Sequence, residues 1–281
     1  MTVFDVNKAG IGDAVVATWI AEGANRLGHN VVFQSGSKDE LLKALGCTVG
    51  TYSTPAIQFG GHAPSYKYEL GLTAAQRTSR TDMWQLECPF VTSAQRPTAT
   101  LSEEAADWAD DMIDDRPVAL LFPFAAYVPR TWPLHKWIRL AHALQGKGFK
   151  VIALHSHVEG LEQFPFYAYG FSLMHVMALM RAADVVIAND SGPAHLAGTL
   201  GTKTIAICGP TDPHTVFSYC PDIFPIATTA ELIGCTGCHF KASLGFTSAC
   251  DVGCDSLANL GHMLVLKKVD EILPDLSYQP Q

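Results

Sequence analysis

The stretch Asp184-Val-Val-Ile-Ala-Asn-Asp-Ser-Gly-Pro-Ala-His-Leu-Ala197 decides the fold. Its residues 185–188 form an unbroken apolar run, which is typical of a strand buried on both faces of a parallel sheet. A polar turn follows, and Pro193 stands where the first residue of a helix is favoured. The stretch therefore predicts a strand, a tight turn and a helix that runs to Leu200.

Working outward, the same alternation recurs on both sides. Apolar residues at three- and four-residue spacing (Val16, Ile20, Ala24, Leu27) predict a helix that Gly28 ends. Further helices are predicted near 74–86, after the N-caps Ser102 and Ser172, from Pro133, and over 256–273. Strands are predicted at 3–6, 30–34, 117–122, 149–154, 184–188 and 204–208. Strands that alternate with helices indicate α/β architecture with parallel sheets.

A break near residues 96–101 divides the chain into two predicted domains. We expect Rossmann-like domains over residues 1–98 and 102–281, the second with a Cys-rich insert at 234–254. In such folds the ligand binds in the crevice at the carboxyl ends of the strands.

Composition excludes several classes of protein. The chain has 281 residues, of which 48% are hydrophobic and 16% charged, and its formal net charge is −8. This is a globular composition, and without a cluster of Lys and Arg we expect no nucleic-acid partner. No signal peptide is recognisable, and the longest apolar stretch, 118–128, is too short to span a bilayer. We expect a cytoplasmic protein, with peripheral attachment to the inner membrane left open.

The turn at Ser191 and Gly192 is a candidate anion site. Backbone N–H groups near these residues and Ala194 lie at a helix N-terminus, where the dipole favours negative charge, and His195 can donate to the same anion. The alternative is that Ser191 only caps the helix and that His195 is an ordinary first-turn residue.

Two further loops belong to the same predicted sheet edge. Gly209-Pro-Thr-Asp-Pro213 follows the strand that ends at Cys208, and Thr211 there can donate to a phosphate or a ribose. Arg130, just before Trp132-Pro133, can pair with a diphosphate. The alternatives are a tight turn of structural value only and a solvated surface arginine.

Near the N-terminus, Gly10-Ile-Gly-Asp13 follows the first predicted strand. A dinucleotide-binding fingerprint would place its third glycine at position 15, which is Val15. A nicotinamide oxidoreductase is therefore disfavoured. Asp13 is either a residue that favours the helix dipole or a general base in the cleft between the domains.

Four cysteines have the spacing of a metal site: Cys235, Cys238, Cys250 and Cys254 follow the pattern C-x2-C-x11-C-x3-C. Two close pairs of thiolates suit a tetrahedral Zn²⁺ or Fe ion with a structural role. The alternative is four reduced cysteines in a glycine-rich loop. Cys47, Cys88, Cys208 and Cys220 are scattered, and we expect them to be small buried apolar residues.

Four of these segments together resemble glycosyltransferase family 9, the ADP-heptose:lipopolysaccharide heptosyltransferases and their relatives. They are Gly10–Asp13, Arg130–Pro133, Asn189–Leu196 and Gly209–Pro213. The resemblance implies the GT-B-like fold, two facing Rossmann-like parallel-sheet domains, and inversion at the anomeric carbon without a catalytic metal or other catalytic cofactor.

The resemblance also implies roles for individual residues. Asp13 is the general base, and Arg130 contacts the donor diphosphate. The remaining implied donor contacts are Gly12, Asp190, Ser191, Gly192, His195, Thr211 and Asp212, with Glu159 as the acidic contact to the ribose. Some protein-modifying relatives hold iron in a four-Cys finger.

The expected reaction is the transfer of a sugar, with heptose from ADP-heptose favoured, to an acceptor hydroxyl. The acceptor is a glycan, a lipid-linked glycan or a protein, in lipopolysaccharide or other surface glycan synthesis. The alternative is a non-catalytic protein that binds a nucleotide or a sugar on the same scaffold.

Overall fold

The N-terminal part of the protein is built around a small parallel sheet. The computed structural model describes residues 1–59, 79–91, 93–113, 117–228 and 255–276. The sheet has four strands in the order β3-β2-β1-β4, all parallel. They are β1 (Thr2–Asp5), β2 (Val31–Gln34), β3 (Thr48–Val49) and β4 (Ala56–Gln58), with helices α1 (Ile11–Arg26), α2 (Asp39–Ala44) and α3 (Arg80–Trp84).

The C-terminal part carries a larger parallel sheet with the strand order β10-β9-β8-β5-β6-β7. Its strands are β5 (Val118–Phe122), β6 (Lys150–His155), β7 (Tyr167–Tyr169), β8 (Val185–Asn189), β9 (Thr204–Cys208) and β10 (Ile223–Ala227). Its helices are α4 (Glu103–Met112), α5 (Leu134–Gly146), α6 (Leu173–Ala182), α7 (Gly192–Thr199), α8 (Pro213–Phe217), α9 (Asp255–Asn259) and α10 (His262–Ile272). Every residue of β5, β8 and β9 is buried, because helices cover both faces of the sheet.

Several local expectations are confirmed by hydrogen bonds. The Ser102 hydroxyl accepts from the Ala105 N–H, and the Ser172 hydroxyl accepts from the His175 N–H, so both residues cap their helices. Pro133 is the N-cap of α5, one residue before the predicted position. The segment 96–101, where the sequence predicts the domain boundary, contains neither helix nor strand.

Two expectations are wrong in detail. Leu27 lies just beyond α1 and is 50% exposed, because the chain turns at Gly28 before Leu27 can join the buried face. The helix predicted over 256–273 is two helices, α9 and α10, separated at Leu260 and Gly261. Of the helix predicted over 74–86, the described part contains α3 and a following 3₁₀ turn, Gln85–Glu87.

The two sheets are joined by a contact between α1 and α7. The indole N–H of Trp19 donates to the Thr199 hydroxyl at 2.9 Å in a buried position, and Arg96 pairs with Asp222 beside it. Side chains of α1 and α2 share one apolar cluster with side chains of the C-terminal sheet and its helices. The contact therefore packs α1 along α7, and a cleft lies between the two sheets at the N-termini of these helices.

Candidate active site

A cavity of about 780 Å³ occupies this cleft, with walls from both parts of the chain. One wall is the first turn of α1, Gly10–Asp13, with Arg80 of α3. The other wall comes from the loops after β5, β6, β8 and β9, which end at the same edge of the larger sheet. The ends of parallel strands are where α/β proteins bind ligands.

Asp13 lies on the N-terminal wall, in the first turn of α1. One carboxylate oxygen accepts from the Gly10 N–H at 3.4 Å, and the other lies 3.7 Å from a guanidinium nitrogen of Arg80. The side chain is still 25% exposed and faces the cavity. Asp13 therefore stabilises the first turn of α1 and also presents a carboxylate oxygen to a ligand in the cleft.

The turn after β8, at Asp190, Ser191 and Gly192, forms the opposite wall. Asp190 is 1% exposed, accepts a hydrogen bond from the Thr211 hydroxyl and forms an ion pair at 3.7 Å with Arg130. Arg130 also donates to the backbone carbonyl of Asp190 at 3.4 Å. The Asp190 carboxylate thus holds in place a cation and a hydroxyl that line the cavity. An anionic ligand would be attracted to Arg130 and not to Asp190 itself.

The N-terminus of α7 has no side-chain cap within the described residues. Ser191 occupies the N-cap position, but its hydroxyl donates to the carbonyl of Asn189 at 3.0 Å instead of accepting from the helix. The Ser191 hydroxyl therefore does not cap the helix. The first turn of α7, at Gly192, lines the cavity and gives it the positive end of the helix dipole.

His195 is buried behind this turn. Its Nδ1 lies 2.8 Å from the Tyr219 hydroxyl, and its ring centroid lies 4.7 Å from that of Phe217. Burial lowers the pKa of His195 to about 3, so the ring is neutral at physiological pH. The ring reaches the cavity wall at Gly12, and it can offer an anion a neutral N–H only.

Of the predicted donor contacts Thr211, Asp212 and Glu159, only Thr211 lines the cavity. Thr211 is buried and lines the cavity, as the loop after β9 was expected to do. Asp212 caps α8 by accepting from the His214 N–H at 3.0 Å and the Thr215 hydroxyl at 3.1 Å. Glu159 is exposed, and neither it nor Asp212 is among the residues that line the cavity. The last residue of β6, His155, and the next residue, Ser156, line the cavity instead.

Sequence reasoning missed several residues of the site. Arg80 lies against Asp13, Tyr219 holds His195, and Tyr127 lies 5.7 Å under the Arg130 guanidinium. None of them belongs to a recognisable motif, and Arg80 and Asp13 are far apart in the chain. The only local signal was Ser79, which caps α3 and so places Arg80 in its first turn.

The four clustered cysteines, Cys235, Cys238, Cys250 and Cys254, lie outside the described residues. Within the described ranges no group of three or more His, Cys, Asp or Glu side chains is arranged to hold a metal. Of the other four, Cys88, Cys208 and Cys220 are buried and Cys47 is partly buried. Burial raises the pKa of Cys47 and Cys88 to about 12, which fits apolar packing and not reactivity.

Two parallel-sheet domains that face each other across a ligand-sized cleft define a GT-B-like protein. The chain belongs to glycosyltransferase family 9 (heptosyltransferase), whose family profile matches residues 83–235, more than half of the sequence. It is therefore a glycosyltransferase, and its donor class is a nucleotide sugar. No helix of the described ranges is both long and apolar enough to cross a membrane.

Solved structures of the same architecture cover nearly all of the chain. ADP-heptose LPS heptosyltransferase II of E. coli is 14% identical with a TM-score of 0.69, covering 98% of this chain and 99% of its own. A family 9 glycosyltransferase of Veillonella parvula is 17% identical with a TM-score of 0.70, covering 98% and 97%. The iron-containing dodecameric glycosyltransferase TibC of enterotoxigenic E. coli is 12% identical with a TM-score of 0.71, covering 98% and 76%. No curated protein sequence matches the chain.

Proposed function

We propose that this protein is an inverting glycosyltransferase that transfers a heptose from ADP-heptose to an acceptor hydroxyl. The acceptor is a glycan, on a lipid or a protein, as in the synthesis of lipopolysaccharide or another surface glycan. The observation that carries the proposal is the cleft itself, with the Asp13 carboxylate on one wall and Arg130 beside the α7 N-terminus on the other. A base and an anion site on opposite walls are what inverting transfer requires.

The reaction follows from this arrangement. The acceptor oxygen attacks the anomeric carbon while its proton passes to the Asp13 carboxylate. The bond between the anomeric carbon and the diphosphate oxygen breaks on the opposite face, and its electron pair leaves with the diphosphate. Arg130 and the N-H groups at Gly192 stabilise the charge that grows there. Asp190 keeps Arg130 directed into the cleft, and the Thr211 hydroxyl, which donates to Asp190, can still accept a hydrogen bond from the ligand.

The relatives support the choice of donor without deciding it. Structures of E. coli heptosyltransferase WaaC are known with ADP and with an ADP-fluoroheptose, and TibC is known with ADP-heptose. Those ligands belong to those proteins, which share 12–14% identity with this chain. We adopt ADP-heptose here because the family is described as heptosyltransferases.

The proposal includes one structural metal ion. Cys235, Cys238, Cys250 and Cys254 would hold Zn²⁺ or Fe in a closed tetrathiolate, and its support is the paired spacing. A closed site leaves no open coordination position, so this ion would have a structural role and would not take part in the chemistry at Asp13.

The deciding experiment is incubation of the purified protein with a panel of nucleotide sugars that includes ADP-heptose, with released nucleoside diphosphate as the readout. We expect ADP release from ADP-heptose above all other donors. Tight binding of ADP by calorimetry without any release from any donor, in the presence of candidate acceptors, would instead indicate a non-catalytic binding protein.

A further inference from the structure

A second pocket, of about 420 Å³, lies at the carboxyl end of the N-terminal sheet. It is formed by the segments that follow β1, β2 and β3. The residues that line it are Asn7, Gln34, Ser35, Gly36, Asp39, Gly50 and Thr51. None of them belongs to the cavity between the domains, and nothing in the reaction above uses them.

The polar groups of this pocket are those that bind hydroxyl groups. The Gln34 Oε1 accepts from the Tyr52 N–H at 3.3 Å, which turns the amide nitrogen of Gln34 into the available donor. The amide of Asn7 and the hydroxyl of Thr51 make no hydrogen bond to other described residues, so both can serve a ligand. Amides and hydroxyls donate and accept, as sugar hydroxyls do.

The pocket is held in shape by its own contacts. Gly36 has a φ of 59°, and a Cβ there would lie 2.8 Å from the Asn7 Oδ1, so the amide of Asn7 sits directly on the glycine. Ser35 is buried and donates to the Asp39 carboxylate, while Lys38 donates to the Asn7 carbonyl at 3.2 Å. These contacts fix the backbone around the pocket, so the exposed side chains of Asn7 and Thr51 are what a ligand would have to order.

The residues that line the pocket carry one negative charge, on Asp39, while the ammonium of Lys38 beside the pocket is held by the Asn7 carbonyl. Asp39 is the only ionisable side chain among the described residues that line it. A carboxylate accepts hydrogen bonds from sugar hydroxyls, but it repels a phosphate or another carboxylate. The pocket therefore suits a neutral polyhydroxylated ligand.

The position of the pocket connects it to the acceptor. Asn7 and Asp13 follow the same strand, β1, and are six residues apart, so they lie within about 20 Å of each other. Asp13 does not line the second pocket, so a sugar bound there cannot be the unit whose hydroxyl is deprotonated. It can be another unit of the same acceptor.

We propose that the second pocket is an acceptor subsite that binds a neutral sugar unit of the acceptor other than the unit that reacts. The inference rests on the proposed function, because it assigns the pocket to the acceptor of that reaction. It predicts an acceptor of at least two sugar units, of which the one in this pocket carries no phosphate or carboxylate.

The test is sugar binding by saturation-transfer NMR without any donor present. The probes are maltose, cellobiose, lactose and trehalose, with trehalose 6-phosphate as the charged counterpart of trehalose. We expect at least one neutral disaccharide to bind, and trehalose 6-phosphate to bind more weakly than trehalose. The double variant Asn7→Ala/Thr51→Val should weaken binding of the neutral disaccharide by about tenfold, because two hydrogen bonds are lost.

Two controls make the outcome specific. Thr48→Val makes the same change on an exposed threonine of β3 outside the pocket, and it should leave binding unchanged. Asp13→Asn should also bind the disaccharide normally, since it removes the base and not the subsite. Failure of the proposed function would appear as absent ADP release with this binding intact. The subsite itself is refuted if no neutral disaccharide binds, if the double variant binds as well as wild type, or if trehalose 6-phosphate binds better than trehalose.

Discussion

The imidazole of His195 packs directly on Gly12, so that a Cβ at Gly12 would lie 2.7 Å from His195 Cδ2. Gly192 makes the reciprocal approach, since a Cβ there would lie 3.0 Å from the Ile11 side chain. The two glycines let the N-termini of α1 and α7 meet, which brings the residue before Asp13 against the wall that holds the anion site. Gly12 and Gly192 therefore allow the close contact between the domains, in addition to their expected role in binding the donor.

Gly12→Ala should destabilise the protein by about 1–3 kcal/mol, the usual cost of overpacking a buried contact. The ring of His195 cannot move aside easily, because Phe217 and Tyr219 pack against it. Denaturant unfolding measures the effect. Gly146→Ala is the matched control, because a Cβ there meets nothing within 4 Å, and it should be neutral or slightly stabilising. Equal stability of both variants would contradict the close contact.

His195 should make stability depend on pH. Its pKa is about 3 in the folded protein and near 6.5 in an unfolded chain, so the unfolded state binds more protons between these values. The contribution of neutral His195 to the free energy of unfolding is fully present above about pH 6.5. It is lost as pH falls toward 3, at up to about 1.4 kcal/mol per pH unit.

The comparison with His195→Gln isolates this contribution. Unfolding free energies at pH 7.5, 6 and 5 should show wild type losing stability relative to the variant as pH falls. His142→Gln, on the exposed side of α5, is the matched control for the loss of one imidazole. A difference for His195→Gln that stays constant with pH would mean that His195 is not buried as a neutral ring.

Asp13→Asn should keep donor binding and lower turnover by roughly 10²–10⁴-fold, because the amide keeps the shape of the side chain but cannot accept the proton. Calorimetry with ADP and the rate of ADP release measure the two effects separately. Asp110→Asn makes the same change on an exposed residue of α4 and should behave as wild type. Turnover near the wild-type rate in Asp13→Asn would remove Asp13 from its role as base.

Arg130→Ala should weaken ADP binding and also slow the reaction, since the leaving group carries most charge in the transition state. It also leaves the buried Asp190 without its ion pair, so the melting temperature should be checked on the same samples. Arg139→Ala, an exposed arginine on α5, controls for the loss of one positive charge. Unchanged affinity together with unchanged turnover would make Arg130 a structural residue only.

The parts of the fold that could be predicted are those with long apolar runs. The strands β5, β8 and β9 were predicted because every residue in them is buried, which gives a continuous signal. The strands β3, β4 and β7 have two or three residues each, too few for any periodicity, and were missed. Five-residue β10 was missed as well, because Pro225 interrupts its apolar pattern.

Site residues could be predicted where a sequence motif marks a loop. They could not be predicted where their position or protonation depends on contacts between distant parts of the chain. The anion turn at Ser191 follows from a strand, a turn and a proline in sequence. The protonation of His195 does not, because it is buried by residues of two distant segments, Gly12 in one and Phe217 and Tyr219 in the other. Arg80 reaches Asp13 only through the packing of α3 on α1, which no local pattern reveals.

The last prediction concerns Cys235, Cys238, Cys250 and Cys254, which we expect to hold about one Zn or Fe per chain in a structural site. Because metal binding contributes folding free energy, Cys238→Ser should release the metal and lower the melting temperature, while the preference among donors stays the same. Cys47→Ser, at a partly buried cysteine outside the cluster, should retain the metal. Metal analysis of protein purified without chelator decides the matter. Absence of both metals with four freely titratable thiols would refute the site. Full metal content with an absolute requirement of turnover for that metal would show that its role is catalytic, and the metal-independent chemistry proposed at Asp13 would then be wrong.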